Sequence, residues 1–545
     1  MASSKDTAQG AEKPAHNAQH VEHHIEDELK PTEAVIDAAT KGQAVSGYEH
    51  LTLWQTVKTF KIATLICFAA AFSAGNDGYQ IGINASIVAN KGFVRQFATK
   101  LDAKGQPYLE SPTLSGWGSI MSVGQVVGTI SIAFISNRFG RKVSMYWLWI
   151  VLVASVLAES LARTWQVWLV AKLLAGIGVG SLQATIPPYI SEVAPTKIRG
   201  GLLMLYTFWW TTGSFFAQIA LFNINSNTPY NWLTPVYTQW GQIGIMAIIF
   251  LVIPETPAWY ATHGHEEAAK KSLRWIHRDV PGYDEAHQYN SLAMLVEHER
   301  AVAAEQRREK WWAIFQGIDG RRTLIAVWPY VGQQFIGLKL FSTFGTYFFQ
   351  QAGVGNPFTV KCITSSIQIA TILVNVMITD KFGRRPLASS AVTLAWISCI
   401  VVGILGVVPE TSARTYVFVL FACFWNIGMV TTGAVGAGFL GEISSNRLRP
   451  YTAGFAMGAS CVVGIIMDVL VPYMVNANQW NWSLKTGWFY AGLGLIATAG
   501  MWYLVPETAG RTAAELDELF EKKLPAWKFS KSETATERLV KQEAN

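Results

Sequence analysis

Residues Asn137–Lys142 read N-R-F-G-R-K and residues Asp380–Arg385 read D-K-F-G-R-R, a separation of 243 positions. Two further pairs of stretches repeat at nearly the same distance. Glu192 in P-P-Y-I-S-E-V-A-P-T-K-I-R-G and Glu442 in G-F-L-G-E-I-S-S-N-R-L-R-P are 250 apart, and P-E-T-P-A-W from Pro254 precedes P-E-T-A-G-R from Pro506 by 252. Three motifs of different composition that share one offset describe a tandem duplication, two halves built to one plan.

Composition says what each half is made of. Half of the 545 residues are hydrophobic and only 15% are charged, against roughly 25% charged in a soluble domain. Apolar runs of about 20 residues, enough to cross a bilayer, recur along the chain. Twelve are read: 62–88, 113–136, 143–163, 166–190, 202–223 and 236–254 in the first half, then 323–351, 359–379, 387–408, 415–441, 451–474 and 486–505. Backbone in hydrocarbon must satisfy its own hydrogen bonds, and the irregular, Gly-rich periodicity does not suit barrel strands, so each run is read as a helix. The expected fold is an all-α membrane protein of twelve transmembrane helices in two six-helix bundles. The expected division is a disordered tail over 1–55, bundles over 56–254 and 323–505, a loop with short helices over 255–322 and a tail over 506–545.

Basic residues cluster at alternate loops: Arg138, Arg141, Lys142, Lys197, Arg199, Lys381, Arg384, Arg385, Arg447 and Arg449. The positive-inside bias then places both termini in the cytosol, although the opposite loop 91–111 carries Lys91, Arg95, Lys100 and Lys104. These inside loops account for the net charge of +6, so no nucleic-acid partner is implied. No cleavable signal is read before the first span. The tail histidines His16, His20, His23 and His24 read as solvated rather than metal-binding, and Cys67, Cys362, Cys399, Cys423 and Cys461 lack metal-site spacing. Neither metal nor cofactor is expected.

Two bundles of like shape can rock about a site near the midplane and expose it to one side at a time. The glycine turns would fix Arg141 and Arg384 at the cytosolic helix ends, with Arg199 and Arg449 nearby. Glu192, Glu255, Glu442 and Glu507 are then candidates for a gating latch that pairs with these arginines in one state only.

The ordered set N-R-F-G-R-K, P-P-Y-I-S-E-V-A-P-T-K-I-R-G, P-E-T-P-A-W, Q-Q-F-I-G, D-K-F-G-R-R, E-I-S-S-N-R-L-R and P-E-T-A-G-R-T resembles the sugar porter family of the major facilitator superfamily over about residues 60–520. S-T-F-G-T-Y-F-F-Q-Q-A-G-V is most similar to the fungal branch of α-glucoside and lactose permeases. The resemblance implies a carbohydrate substrate, gathered by amides for its hydroxyls and by aromatic faces for its C–H surfaces. Gln333 and Gln334 match the family's twin sugar-binding glutamines, Gln368 stands where the family has an asparagine, and Phe341, Phe344, Tyr347 and Trp425 supply rings. Thr207 replaces a common glutamine and Ala437 a common tryptophan, which argues against ordinary glucose specificity.

Lys339 is the largest departure, a lysine where relatives read asparagine in Q-Q-x-x-G-x-N. A charge at membrane depth costs about 3 kcal/mol or more on insertion scales unless paired or hydrated. Three readings compete: a carboxylate on the substrate, which would make the cargo a sugar acid; an acidic side chain, with Asp468 the nearest candidate; or a lysine that snorkels to an interface. Aligning Q-I-G-I-N with F-I-G-L-K makes Asn84 the counterpart of Lys339 in the first half.

Proton symporters of the family carry an aspartate in the first span. Here ungapped alignment puts Gln80 at that position, and Asp77 lies one helical turn away, able to stand in for it. Lys172 occupies the position of a family arginine and is the expected partner of Asp77; Asp468 is a second coupling candidate. Glu159, near a span end, is read as interface-exposed. The expected activity is proton-coupled sugar uptake, with a facilitative hexose carrier as the alternative, by a chain acting as a monomer in the lipid bilayer. A non-transporting sugar sensor is disfavoured by the short polar C-terminal tail, and no nucleotide loop or catalytic triad points to an enzyme. Localisation to a fungal plasma membrane follows from the resemblance. Asn481 heads a glycosylation sequon in an outward loop, whereas Asn84 heads one only formally, inside a span. Lys522, Lys523 and Lys531 read as solvated tail residues.

Overall fold

A computed structural model of the chain describes residues 51–532 apart from 103, 309, 445–447, 510–512 and 523. The tail histidines, Arg447 and Lys523 lie outside the described residues. Each expected span is met by a helix. In the first half these are Lys61–Phe72 continued by Ala74–Ile87, then Ser111–Phe139, Arg141–Leu161, Trp165–Val193, Arg199–Asn227 and Leu233–Val252. The second half contains Gly317–Phe335 continued to Gln351, then Pro357–Phe382, Arg384–Leu405, Ser412–Ile443, Arg449–Val475 and Thr486–Leu504. Among the described residues, eight of these helices are long and apolar enough to cross a membrane by themselves, with mean hydropathy of 1.4 to 2.1 in their most apolar stretch. The first span, which passes only together with the helix before it, and the fifth, seventh and twelfth are not among them; helices that pack inside a bundle can carry polar residues that lipid would reject.

The twelve helices form two six-helix bundles with matching neighbours. The first span packs on the fifth, the second on the fourth and the third on the sixth, and in the same way the seventh packs on the eleventh, the eighth on the tenth and the ninth on the twelfth. The most extensive contacts between the halves are second span with eleventh and fifth with eighth, a pair of contacts exchanged by the twofold relation that the duplication implies, and the first span meets the seventh as well.

The repeated F-G-R turn ends one span and starts the next in both halves. Gly140 has φ of 98° and Gly383 has φ of 83°, a left-handed region where side chains are strained. Space is lacking as well: a Cβ on Gly383 would stand 2.8 Å from Glu507 Oε2, and one on Gly140 would meet Glu255 Oε2. The carboxylates are close because they cap helices. Glu255 accepts the backbone N–H groups of Arg141 and Lys142, each at 2.9 Å, and Glu507 accepts those of Arg384 and Arg385 at 3.0 and 3.2 Å. A carboxylate on the first N–H groups of a helix satisfies orphan donors and meets the positive end of the macrodipole.

Around the face that carries the described chain ends, here the tail face, the chain is more ordered than its polarity suggested. Helix Leu53–Thr59 starts inside the stretch expected to be disordered, closed by a capping box between Thr52 and Gln55. It bends 94° away from the first span. The C-terminal tail is not merely solvated either: helix Ala513–Glu521 buries Leu516, Leu519 and Phe520, with the Arg322 guanidinium 4.5 Å from the Phe520 ring. Lys522 is exposed there and pairs with Glu518. On the opposite face, here the loop face, the basic loop forms helix Lys91–Phe97 and a small hairpin pairing Lys100–Leu101 with Pro107–Tyr108.

Between the sixth and seventh spans, His277 is wedged between Phe60 at 5.4 Å and Tyr283 at 4.7 Å, with its Nδ1 buried and without a partner. Burial pushes the imidazole down to about 4 from its ordinary 6.5. A base with a depressed folded pKa leaves stability untouched above about 6.5 and lowers it as pH falls toward 4, because the unfolded chain takes the proton first. The loss reaches at most ~3 kcal/mol. The thermal midpoint of the detergent-purified protein is therefore expected to fall across that window, and less so in His277→Phe. An identical pH profile in the variant would refute this assignment.

Candidate transport pathway

The seventh span is broken at the residues that interrupt its apolar pattern. Helix Gly317–Phe335 ends in a turn at Ile336 and Gly337, the latter with φ of 91°, and the chain resumes as a π-helical segment, Lys339–Thr343, before a short helix, Gly345–Gln351. Polar side chains take up the backbone groups of this break. Trp425 Nε1 donates to the Ile336 carbonyl at 2.7 Å, and Lys361 Nζ donates to those of Phe341 and Ser342 at 3.0 and 3.1 Å.

Of the three readings of Lys339, the structure carries the internal one. Its Nζ lies 2.7 Å from Asp468 Oδ2 on the eleventh span and 3.2 Å from Ser122 Oγ on the second, and Ser122 donates to the same carboxylate oxygen at 2.8 Å. The Asp468 side chain is wholly buried, while 15% of the lysine side chain remains accessible. The pair therefore compensates a charge within the second half and touches the first half through one hydroxyl. Removing one partner of such a pair typically costs 3–5 kcal/mol, because the other charge is left bare.

The expected pocket residues fall into two groups. Gln333, Gln368 and Asn84 are half-buried and Thr207 is exposed, all with surface left to offer. Gln333 uses Nε2 on its own helix, at the Pro329 carbonyl (3.3 Å), and Asn84 Nδ2 lies 3.4 Å from Met121 Sδ. Gln334, Phe341, Phe344 and Trp425 are buried. Phe341 stacks on Trp425 at 4.6 Å, so these two rings brace the break in the seventh span. Gln334 reaches Ser460 at 3.5 Å, and its Oε1 is buried without a partner.

In the first half the expected pairing fails. Lys172 does not meet Asp77; it lies 2.9 Å from Glu159, both side chains wholly buried, and 4.5 Å from the Trp168 ring. Glu159 is thus a core ion-pair member rather than an interface residue, and its second oxygen accepts from Gln239 at 2.9 Å. The sequence reading placed it by distance from the span end, but the helix turns it inward, where only a cation makes a carboxylate tolerable. Asp77 is also buried, yet its partners are neutral: Gln183 Nε2 at 2.9 Å and Tyr206 Oη at 3.2 Å. Its Oδ1, both amide atoms of Asn76 and both of Gln80 are buried without partners.

Of the arginine–carboxylate pairs expected at the helix ends, one is formed among the described residues. Arg141 forms an ion pair with Glu192 at 2.8 Å, but Glu255 and Glu507 serve backbone N–H groups as caps instead of guanidiniums. Arg199 leaves its Nε buried without a partner, Arg384 and Arg449 begin the ninth and eleventh spans, and the Glu442 side chain lies outside the described residues. Asn481 is exposed in the loop before the twelfth span, with φ of 51°.

Hydrogen bonds between the halves lie from the middle of the spans to the loop face. Ser111 Oγ donates to the Pro472 carbonyl at 3.0 Å and Ser115 Oγ to that of Val469 at 2.9 Å. Asn476 donates to Ser111 at 3.1 Å. Ser86 Oγ lies 2.6 Å from Thr346 Oγ1 and donates to Gln218 at 2.5 Å. The halves are thus fastened together toward the loop face. Sequence reasoning missed Ser86, Ser122, Gln183, Tyr206, Gln218 and Thr346, since small or neutral polar residues in apolar spans are common; it missed Lys361 too, although a charge within a span is a signal that finds it.

Over residues 66–520 the chain matches the family described as sugar (and other) transporter. It is 27% identical over 515 residues to the MFS transporter fmqE of Aspergillus fumigatus, covering 92% of this chain and 94% of the relative. With the general alpha-glucoside permease of Saccharomyces cerevisiae it shares 27% over 504 residues, 90% of this chain and 80% of the relative. The inward open conformation of the xylose transporter XylE from E. coli superimposes with a TM-score of 0.68 at 22% identity, over 84% of this chain and 99% of that one. With its duplicated twelve-helix fold and a match over most of its length, this multi-pass membrane protein belongs to the sugar transporter family of the major facilitator superfamily.

Proposed function

We propose that the protein imports a neutral sugar, a disaccharide or other α-glucoside, together with a proton. The observation that carries this reading is the 2.7 Å contact between Lys339 and Asp468. An ammonium already neutralised by a buried carboxylate has little left to attract a substrate anion, which argues against uronates and for uncharged cargo. Relatives named as general alpha-glucoside permease and maltose permease favour the same class. Gln333, Gln368, Asn84 and Thr207 are the side chains with room to bind hydroxyls.

Asp77 is the proposed proton carrier. Of the three buried carboxylates within the spans among the described residues, Glu159 and Asp468 each hold a lysine, so protonating either would bare a cation in a site of low dielectric. Asp77 holds only neutral donors and can accept a proton without that cost. One donor, Gln183, is exposed, so the carboxylate is one hydrogen bond from solvent. With the tail face in the cytosol, the fastened loop face is the outward one, and Arg141–Glu192 is a latch element that changes when the halves rock. The plasma membrane of a fungus is the proposed location and the monomer the proposed unit.

Expressed in cells lacking sugar carriers, the protein is expected to take up maltose faster at acidic than at neutral pH and to leave galacturonate outside. Preferential uptake of galacturonate would sink the neutral-substrate reading. Asp77→Asn is expected to lose accumulation against a gradient by about tenfold while keeping exchange of labelled for unlabelled maltose; unchanged accumulation would remove Asp77 from coupling. For the ion pair, Lys339→Met alone should lower thermal stability by about 3 kcal/mol or more, and Lys339→Met with Asp468→Leu should recover most of it. Additive losses in that cycle would show that the two charges do not compensate one another.

A further inference from the structure

Lys361 enters none of the chemistry above, yet it is the most anomalous charge in the molecule. It sits in the first turns of the eighth span, Pro357–Phe382, close enough to the loop face for a lysine to snorkel to water. It turns inward instead. Its side chain is buried, its ammonium meets the carbonyls of Phe341 and Ser342, and it enters no ion pair among the described residues. A buried cation without a carboxylate is expensive unless the groups it serves would otherwise be worse off.

Those groups belong to the break in the seventh span. The π turn is closed by the Phe344 N–H on the Lys339 carbonyl at 2.9 Å, and beyond it the helical ladder is interrupted before Gly345 resumes. The ammonium takes up carbonyls at this interruption. Gly345 makes room for it, since a Cβ there would stand 3.0 Å from Lys361 Nζ. The short helix beyond, Gly345–Gln351, meets the first span together with the π segment before it, and Thr346 on Ser86 is its hydrogen bond to that span. One lysine therefore holds the joint of one of the segments that fasten the halves at the loop face.

We propose that Lys361 is a positioning residue that keeps the seventh span in two pieces, so that Gly345–Gln351 swings as a unit when the loop face opens. Its hydrogen-bond donors, rather than its charge, hold the joint. With the donors gone, the carbonyls recover partners by a re-formed continuous helix, which carries Thr346 off Ser86. The consequence for transport rests on the alternating-access reading above; the consequence for Thr346 does not.

The test uses the full chain in proteoliposomes, carrying Thr346→Cys, and reads labelling by an impermeant maleimide applied to the loop face. Lys361→Met is expected to raise the labelling rate about threefold or more, and Lys361→Gln, which keeps N–H donors, to stay near the parent. In maltose uptake, the Met variant should lose about tenfold in turnover with KM changed less than twofold. Parent-like labelling in the Met variant, or an equal rise in the Gln variant, would overturn the proposal. If the Met variant does not fold, Gly345→Ala presses on the ammonium without baring a charge; a raised labelling rate supports the joint and an unchanged one refutes it. Absence of maltose uptake with the labelling pattern intact would fault the substrate assignment alone.

Discussion

A charge in hydrocarbon must be answered by a partner at hydrogen-bond distance, and much of this molecule is arranged around the few charges it keeps there. Lys339 is answered by Asp468, Lys172 by Glu159, Lys361 by two carbonyls and Asp77 by two neutral donors. Each solution ties one helix to another, so each fixes a packing relation that apolar contact alone would leave free to slide. Lys172 and Glu159 tie the fourth span to the third, Lys339 and Asp468 the seventh to the eleventh, and Lys361 the eighth to the seventh. The chemistry of transport must be carried out within these constraints.

The duplication supplies a second constraint, and the halves differ where function asks for it. The turns match closely: Gly140 and Gly383 have the same backbone, and Glu255 and Glu507 cap the same helix starts. At membrane depth the match dissolves. Asn84 in the first half faces a methionine sulfur, while its counterpart Lys339 is paired with a carboxylate and begins a π turn. Structural motifs at the tail face are under the same geometric demand in both halves, whereas the charges and the helix break at membrane depth differ from one half to the other.

The span count, the all-helical class and the twofold plan were legible because they depend on properties that accumulate along the chain: apolar length, periodic turns and repeated motifs. The solvated character given to the polar tail over 506–545 misses a helix for the same reason, since average polarity conceals Ala513–Glu521, which buries Leu519 and Phe520. Site residues were legible as a set and not as partners. Asp77 and Lys172 carry opposite charges at positions where pairing was expected, yet a helix rotates successive residues by about 100°, and Lys172 faces the third span.

The sequence by itself determined that this chain spans a membrane as two related bundles, that amides and aromatics gather in its second half, and that Lys339 must be answered by something. Tertiary structure alone decided that the answer is Asp468, that Asp77 keeps neutral company, and that Glu255 and Glu507 cap helices instead of binding arginines. The reason is physical. Hydrophobic length and period are local sums, while the partner of a buried charge is selected by the direction in which a side chain leaves its helix and by what another helix, often more than a hundred residues away, presents at that depth.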